Sequence, residues 1–201
     1  MFLLLLYLLT CFIFFFILLL KINMKLRLSY TLLDFWRRGK VDDAINYYLG
    51  LKEITSKEIE FGKEKHKENE DVVKTLNKLS EEFGGLKLKN PKSELKIQIE
   101  YNELWDLVGV IDVYDEGIIY ELKTGKIPSV SYLSSPQLSI YSLLCQSQKL
   151  PVEKIYVIHY DGVNTDWAMK WFYPEMIEEA KDFIDGLGYE IYKFFKEKKI
   201  I

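Results

Sequence analysis

The sequence predicts an α/β fold of the α+β kind, a mixed central β-sheet flanked by helices. Three observations carry this expectation. The apolar period is helical before Gly84-Gly85, alternates from Leu95 onward, and turns helical again at Ser135 and Pro174. Asp115-Glu116-Gly117 sits between two alternating runs, which is hairpin chemistry. No repeat of 20–50 residues and no Pro/Gly/Ser-rich linker divides the chain after Met24, so residues 24–201 read as one domain.

Each element follows from local signals. Ser29-Tyr-Thr-Leu-Leu-Asp-Phe-Trp opens a short helix with Ser29 or Thr31 as cap. Val41 to Leu49 makes a second, closed by Gly50. Lys52 to about Leu79 is a long lysine- and glutamate-rich helical stretch. Three strands follow: Leu95 to Tyr101, Trp105 to Tyr114 and Ile118 to Lys123. Ser135 with Pro136 caps a helix running to about Gln148. Ile155 to Tyr160 and Ala168 to Phe172 are two more strands around Asp161-Gly162, and Pro174 opens a last amphipathic helix. His159 lies mid-strand between apolar residues and reads as packing. Trp105 and the pair Trp167 and Trp171 read as core rather than as stacking platforms.

Composition excludes several classes. Of 201 residues, 49% are hydrophobic and 28% charged, which rules out a disordered tail. A net charge of -3 argues against a protein that coats duplexes through charge alone, although not against a local basic groove. The two cysteines, Cys11 and Cys145, are too few for a four-cysteine zinc site or a disulfide scaffold, and the chain reads as intracellular. Residues 1–23 form a separate hydrophobic segment. The uncharged run from Met1 to Leu20 is long enough to span a bilayer. Lys21, Lys25, Arg27, Arg37 and Arg38 follow it and would leave the domain facing the cytoplasm. A misassigned start upstream of Met24 explains the same run, because the segment is almost wholly Phe, Leu and Ile. Either way the expected location is cytoplasmic, with or without an anchor.

Four clusters can carry chemistry. Gly109-Val-Ile-Asp112 places a carboxylate near the end of an apolar strand. Glu121-Leu122-Lys123-Thr124-Gly125 lies on the returning strand, with Glu121 and Lys123 on one face and Leu122 on the other. A short turn brings Asp112 near Glu121, and two carboxylates on one surface repel unless a cation sits between them. Mg²⁺ or Mn²⁺ is the natural partner for such oxygen ligands. Gly62 and His66 share a face of the long helix, although a histidine within KEKHKENE is equally a surface residue. Gln137 and Tyr141 share a face of the helix after Ser135, where an amide and a phenol can contact nucleic acid or simply pack.

The order of these clusters, G-x-x-x-H, then G-x-x-D, then E-x-K-T-G, then Q-x-x-x-Y, resembles the RecB-like exonuclease branch of the PD-(D/E)XK nuclease superfamily. That branch includes the CRISPR-associated RecB-like exonucleases. The resemblance spans roughly Leu28 to Leu144 and includes the opening Ser29-Tyr-Thr31-Leu-Leu33-Asp-Phe35. It implies a restriction-endonuclease-like core and a Mg²⁺- or Mn²⁺-dependent deoxyribonuclease that acts on DNA ends. Its metal ligands would be His66, Asp112 and Glu121 with the backbone carbonyl of Leu122. Lys123 would be the catalytic lysine, and Gln137 and Tyr141 would face the substrate. A helicase or other DNA-processing subunit is the implied protein partner. Relatives that hold a four-cysteine iron–sulfur cluster have cysteines this chain lacks, so no cluster is expected. The competing expectation is a non-catalytic module of the same fold that binds DNA or a helicase.

Overall fold

The computed structural model describes residues 25–51 and 88–201. Residues 1–23, the long helix expected over Lys52 to Leu79, and with it Gly62 and His66, lie outside the described residues. No described helix is long and apolar enough to cross a membrane.

The described chain opens with β1 (Leu26–Ser29), followed by α1 (Tyr30–Arg37) and α2 (Val41–Leu49). Ser29 ends the strand in an extended conformation, and its hydroxyl accepts from the backbone N–H of Leu32, capping α1. Gly50 closes α2 in the left-handed region at φ 63°, as its position predicted. Three strands follow: β2 (Lys92–Glu100), β3 (Trp105–Asp115) and β4 (Ile118–Thr124). Glu116 at φ 43° and Gly117 at φ 98° make the expected tight hairpin between β3 and β4. A 3-10 turn (Ser129–Tyr132) leads into α3 (Pro136–Ser147), capped by the Ser135 hydroxyl. β5 (Lys154–Tyr160), β6 (Thr165–Trp171) and the long α4 (Glu175–Glu197) complete the domain.

The described strands form one mixed sheet in the order β1-β3-β4-β5-β6, with β2 also paired to β3. β1–β3 and β4–β5 are parallel and the other pairs antiparallel. β2 runs along one whole edge of β3, from Asp106 to Tyr114. β1 and β4 must therefore share the other edge, β1 opposite Trp105 to Val108 and β4 opposite Val113 to Asp115. Between them Gly109 to Asp112 have no strand neighbour on that side among the described residues, and the carboxyl ends of β1 and β4 converge on this gap.

The main core lies between one sheet face and the helices. Met176, Ala180, Ile184, Gly188, Ile191 and Phe195 make the buried stripe of α4 at the three- and four-residue spacing of a helix. A Cβ at Gly188 would stand 2.8 Å from Leu28 and 3.1 Å from Trp105, so glycine lets α4 sit directly on the β1–β3 pair. Cys145 is fully buried in this core, and burial pushes its thiol up to about 12. A smaller cluster, Val113, Tyr120 and Ile158, occupies the opposite face.

Two sequence expectations are corrected. Trp105 is buried as predicted, but Trp167 and Trp171 are 45% and 59% exposed. They lie on β6, an edge strand of the described sheet, where period alone cannot reveal that no described layer covers them; Lys154 Nζ sits 4.4 Å from the Trp171 ring centroid. The chain also starts its described part with a strand, β1, where only the helix after it was expected.

Candidate active site

The gap in the sheet gathers most of the residues singled out in the sequence. Past Val113 the β3–β4 ladder ends, and the Asp112 carboxylate takes its place: Oδ2 accepts from the Leu122 N–H at 2.7 Å. A strand residue turns its N–H and C=O toward the same neighbour, so the Leu122 carbonyl faces this gap as well. Glu121, beside Asp112 in the extrapolated register, is 3% exposed. Lys123 Nζ donates to Glu121 Oε1 at 2.5 Å and to Gln137 Oε1 at 2.8 Å. Gln137 Nε2 in turn donates to Tyr141 Oη at 2.7 Å.

Gly109 explains its own place in the G-x-x-D cluster. A Cβ there would come within 2.5 Å of Leu144 Cδ1 and 3.3 Å of Tyr141 Cε1. The bare backbone lets α3 lie close enough for Gln137 to reach Lys123. Ser135 Oγ also donates to Tyr30 Oη at 3.2 Å, which ties the start of α1 to the start of α3 at the rim.

Electrostatically the site is under-compensated. Burial, then the Asp112 charge, pushes Glu121 up to about 8 against the pull of Lys123. Burial also raises Asp112, although the Leu122 N–H opposes it. For Lys123 burial works against the charge, but Glu121 and Asp112 outweigh it and hold the ammonium above its ordinary value. Among the described residues one cation, Lys123, faces the two carboxyl groups, and Glu121 Oε2 is buried with no hydrogen-bond partner there. A buried carboxylate oxygen left unpaired is costly. Two carboxylates and a backbone carbonyl around it form the hard oxygen set that suits Mg²⁺ or Mn²⁺. The residues present therefore fit such an ion, though among the described residues no three His, Cys, Asp or Glu side chains converge. His66 lies outside them.

Gln137 and Tyr141 are both buried, and the amide of Gln137 is engaged by Lys123 and Tyr141. Burial pushes the Tyr141 phenol up, so it stays protonated. Its oxygen accepts from Gln137, which leaves its own proton to donate.

The sequence reading missed one neighbour of the site. His159 is buried, as expected of packing, but both ring nitrogens are engaged, Nδ1 with Asp166 Oδ2 at 2.9 Å and Nε2 with the Gly125 carbonyl at 2.7 Å. Its sequence signal was a polar residue facing the same side as Lys123, its register partner on β4.

No family model matches the chain. No curated protein matches it. Among solved structures the chain is similar to the crystal structure of SSO0001, at 18% identity and a TM-score of 0.46, over 80% of this chain and 76% of that one. It is also similar to the crystal structure of LHK-Exo in complex with dAMP, at 13% identity and a TM-score of 0.48, over 86% and 93%. Both are distant likenesses of shape, and neither assigns a role to any residue of this chain.

Proposed function

We propose that this chain is a Mg²⁺- or Mn²⁺-dependent nuclease that hydrolyses DNA phosphodiesters, with the residues of the sheet gap as its active site. The observation that carries the reading is the buried Glu121 Oε2, without a partner among the described residues, beside Asp112, with Lys123 on the other oxygen of Glu121. In this reading Asp112, Glu121, the Leu122 carbonyl and His66 hold the ion. When bound, the ion supplies positive charge at the scissile phosphate and acidifies water.

The chain's own groups do the rest. Lys123 carries its charge on a short tether from β4 and is aimed by Gln137, so it can orient the attacking water and offset charge growing on the phosphate. Tyr141 offers a phenolic proton to a phosphate oxygen, and Gln137 can exchange Lys123 for a substrate contact. Exonucleolytic action on DNA ends, a RecB-like lineage and a helicase-type partner belong to the same reading through the resemblance of the motif order.

The test incubates the protein with end-labelled single- and double-stranded DNA and Mn²⁺ or Mg²⁺, beside Asp112→Ala, Lys123→Ala and an EDTA control. Metal-dependent degradation that both variants lose supports the proposal. A folded, metal-binding wild type that degrades neither substrate overturns it.

A further inference from the structure

The buried histidine beside the gap ties together both sides of the Lys123 ammonium. On one side, β4 ends at Thr124 and the chain turns at Gly125, whose φ is 119°. Both backbone polar groups of Gly125 are anchored to β5: its N–H donates to the Tyr160 carbonyl at 3.2 Å, and its carbonyl meets His159 Nε2 at 2.7 Å. On the other side, Asp166 receives His159 Nδ1 on one oxygen and the Ser129 N–H, at 2.8 Å, on the other. Ser129 begins the 3-10 turn that carries Tyr132, whose ring centroid lies 5.5 Å from Lys123 Nζ. A closed path thus runs from the Lys123 strand through Gly125, His159, Asp166 and Ser129 back to the ring over Lys123.

The chemistry of the latch is specific. The Gly125 carbonyl on one side and the Asp166 carboxylate on the other give each ring nitrogen its own partner, which a histidine engages through both nitrogens at once. Isoleucine or leucine at the same buried position would pack but would hold neither Gly125 nor Asp166.

We propose that His159, bridging the Gly125 carbonyl to Asp166, is a positioning residue for Lys123, fixing the end of β4 and the Ser129–Tyr132 turn on either side of the ammonium. Its consequence for turnover rests on the nuclease reading above; the bridge itself does not.

The test uses the full chain. Histidine-selective ¹⁵N labelling gives two ring systems, because the chain has two histidines, and His159→Gln identifies which is which. The ring ¹⁵N resonances of His159 are expected to shift in Asp166→Asn, at a half-exposed side chain, with the fold retained. In DNA cleavage Asp166→Asn and His159→Gln should lower kcat about tenfold, the scale seen when a supporting hydrogen-bond partner is removed from a reactive group, with KM for DNA unchanged. Asp166→Glu, which keeps the carboxylate, should recover part of that loss. His159 ring resonances that are the same in wild type and Asp166→Asn overturn the bridge, and a kcat equal to wild type in a well-folded Asp166→Asn overturns the positioning role. If wild type cleaves no DNA the nuclease reading fails, and the bridge is then decided by the nitrogen signature alone.

Discussion

The two halves of strand β3 are built on opposite principles. From Asp106 to Val108 it is paired on both edges, by β1 and β2; Leu107 is fully buried, and Trp105 packs against the bare backbone of Gly188 on α4. From Gly109 to Asp112 its one described strand neighbour is β2, and along the other edge lie a carboxylate, a second carboxyl group and a lysine. The first half gains stability from close packing and satisfied backbone groups. The second leaves Glu121 Oε2 buried and, among the described residues, unpaired, a cost that a folded chain retains where a ligand can offset it. Substitutions in the first half should therefore act on folding, and those in the second on chemistry.

The largest expected effect is on chemistry. Lys123→Ala should lower kcat for DNA cleavage by roughly 10²–10³-fold, the cost of removing one preorganised charge-stabilising group, and should also lower the thermal midpoint, because it strips the described cation from two buried carboxyl groups. A midpoint that falls sharply while cleavage persists would reverse the contrast. In the packed half, Leu28→Ala removes a fully buried side chain and should cost about 2–5 kcal/mol in denaturant unfolding, while the surviving folded fraction keeps its kcat.

Glu121 links the two halves through pH. Its folded value, about 8, lies above its ordinary value of 4.5, so the protonated form is the one folding favours. In metal-free protein the stability this confers is complete below pH 4.5 and is lost as pH rises through 8, a span worth on the order of 3 kcal/mol by neutral pH. Glu121→Gln should flatten that slope in urea melts repeated across pH, and should abolish the rise in stability that Mg²⁺ or Mn²⁺ brings to wild type. Equal slopes in the two proteins would show that Glu121 is not desolvated as described.

Gly109→Ala tests the boundary between the halves. Its Cβ must displace Leu144 or Tyr141, so a loss of about 1–3 kcal/mol is expected, together with reduced cleavage as α3 withdraws Gln137 from Lys123. The smallest effect should come from Trp171→Ala on the exposed edge of β6, within about 0.5 kcal/mol in the same melts.

Much of this arrangement was legible in the chain because its causes are local. Ser29 and Ser135 cap helices through hydrogen bonds that span two or three residues, and the β3–β4 turn follows from residues able to adopt positive φ. The nearness of Asp112 and Glu121 followed from that turn and a two-residue period. What stayed hidden depends on partners distant in sequence. β1 is four residues long and directly abuts a helix, and it is a strand because Trp105 to Val108 offer it an edge. Trp167 and Trp171 carry an apolar pattern on a strand that nothing described covers, and His159 looks like packing until Gly125 and Asp166 supply two acceptors. By itself, then, the sequence determined the helix caps, the hairpin and the pairing of two carboxyl groups with one lysine. Only the tertiary structure decided that β1 and β4 share an edge of β3, opening the gap where those charges meet, because edge sharing depends on contacts between segments some eighty residues apart.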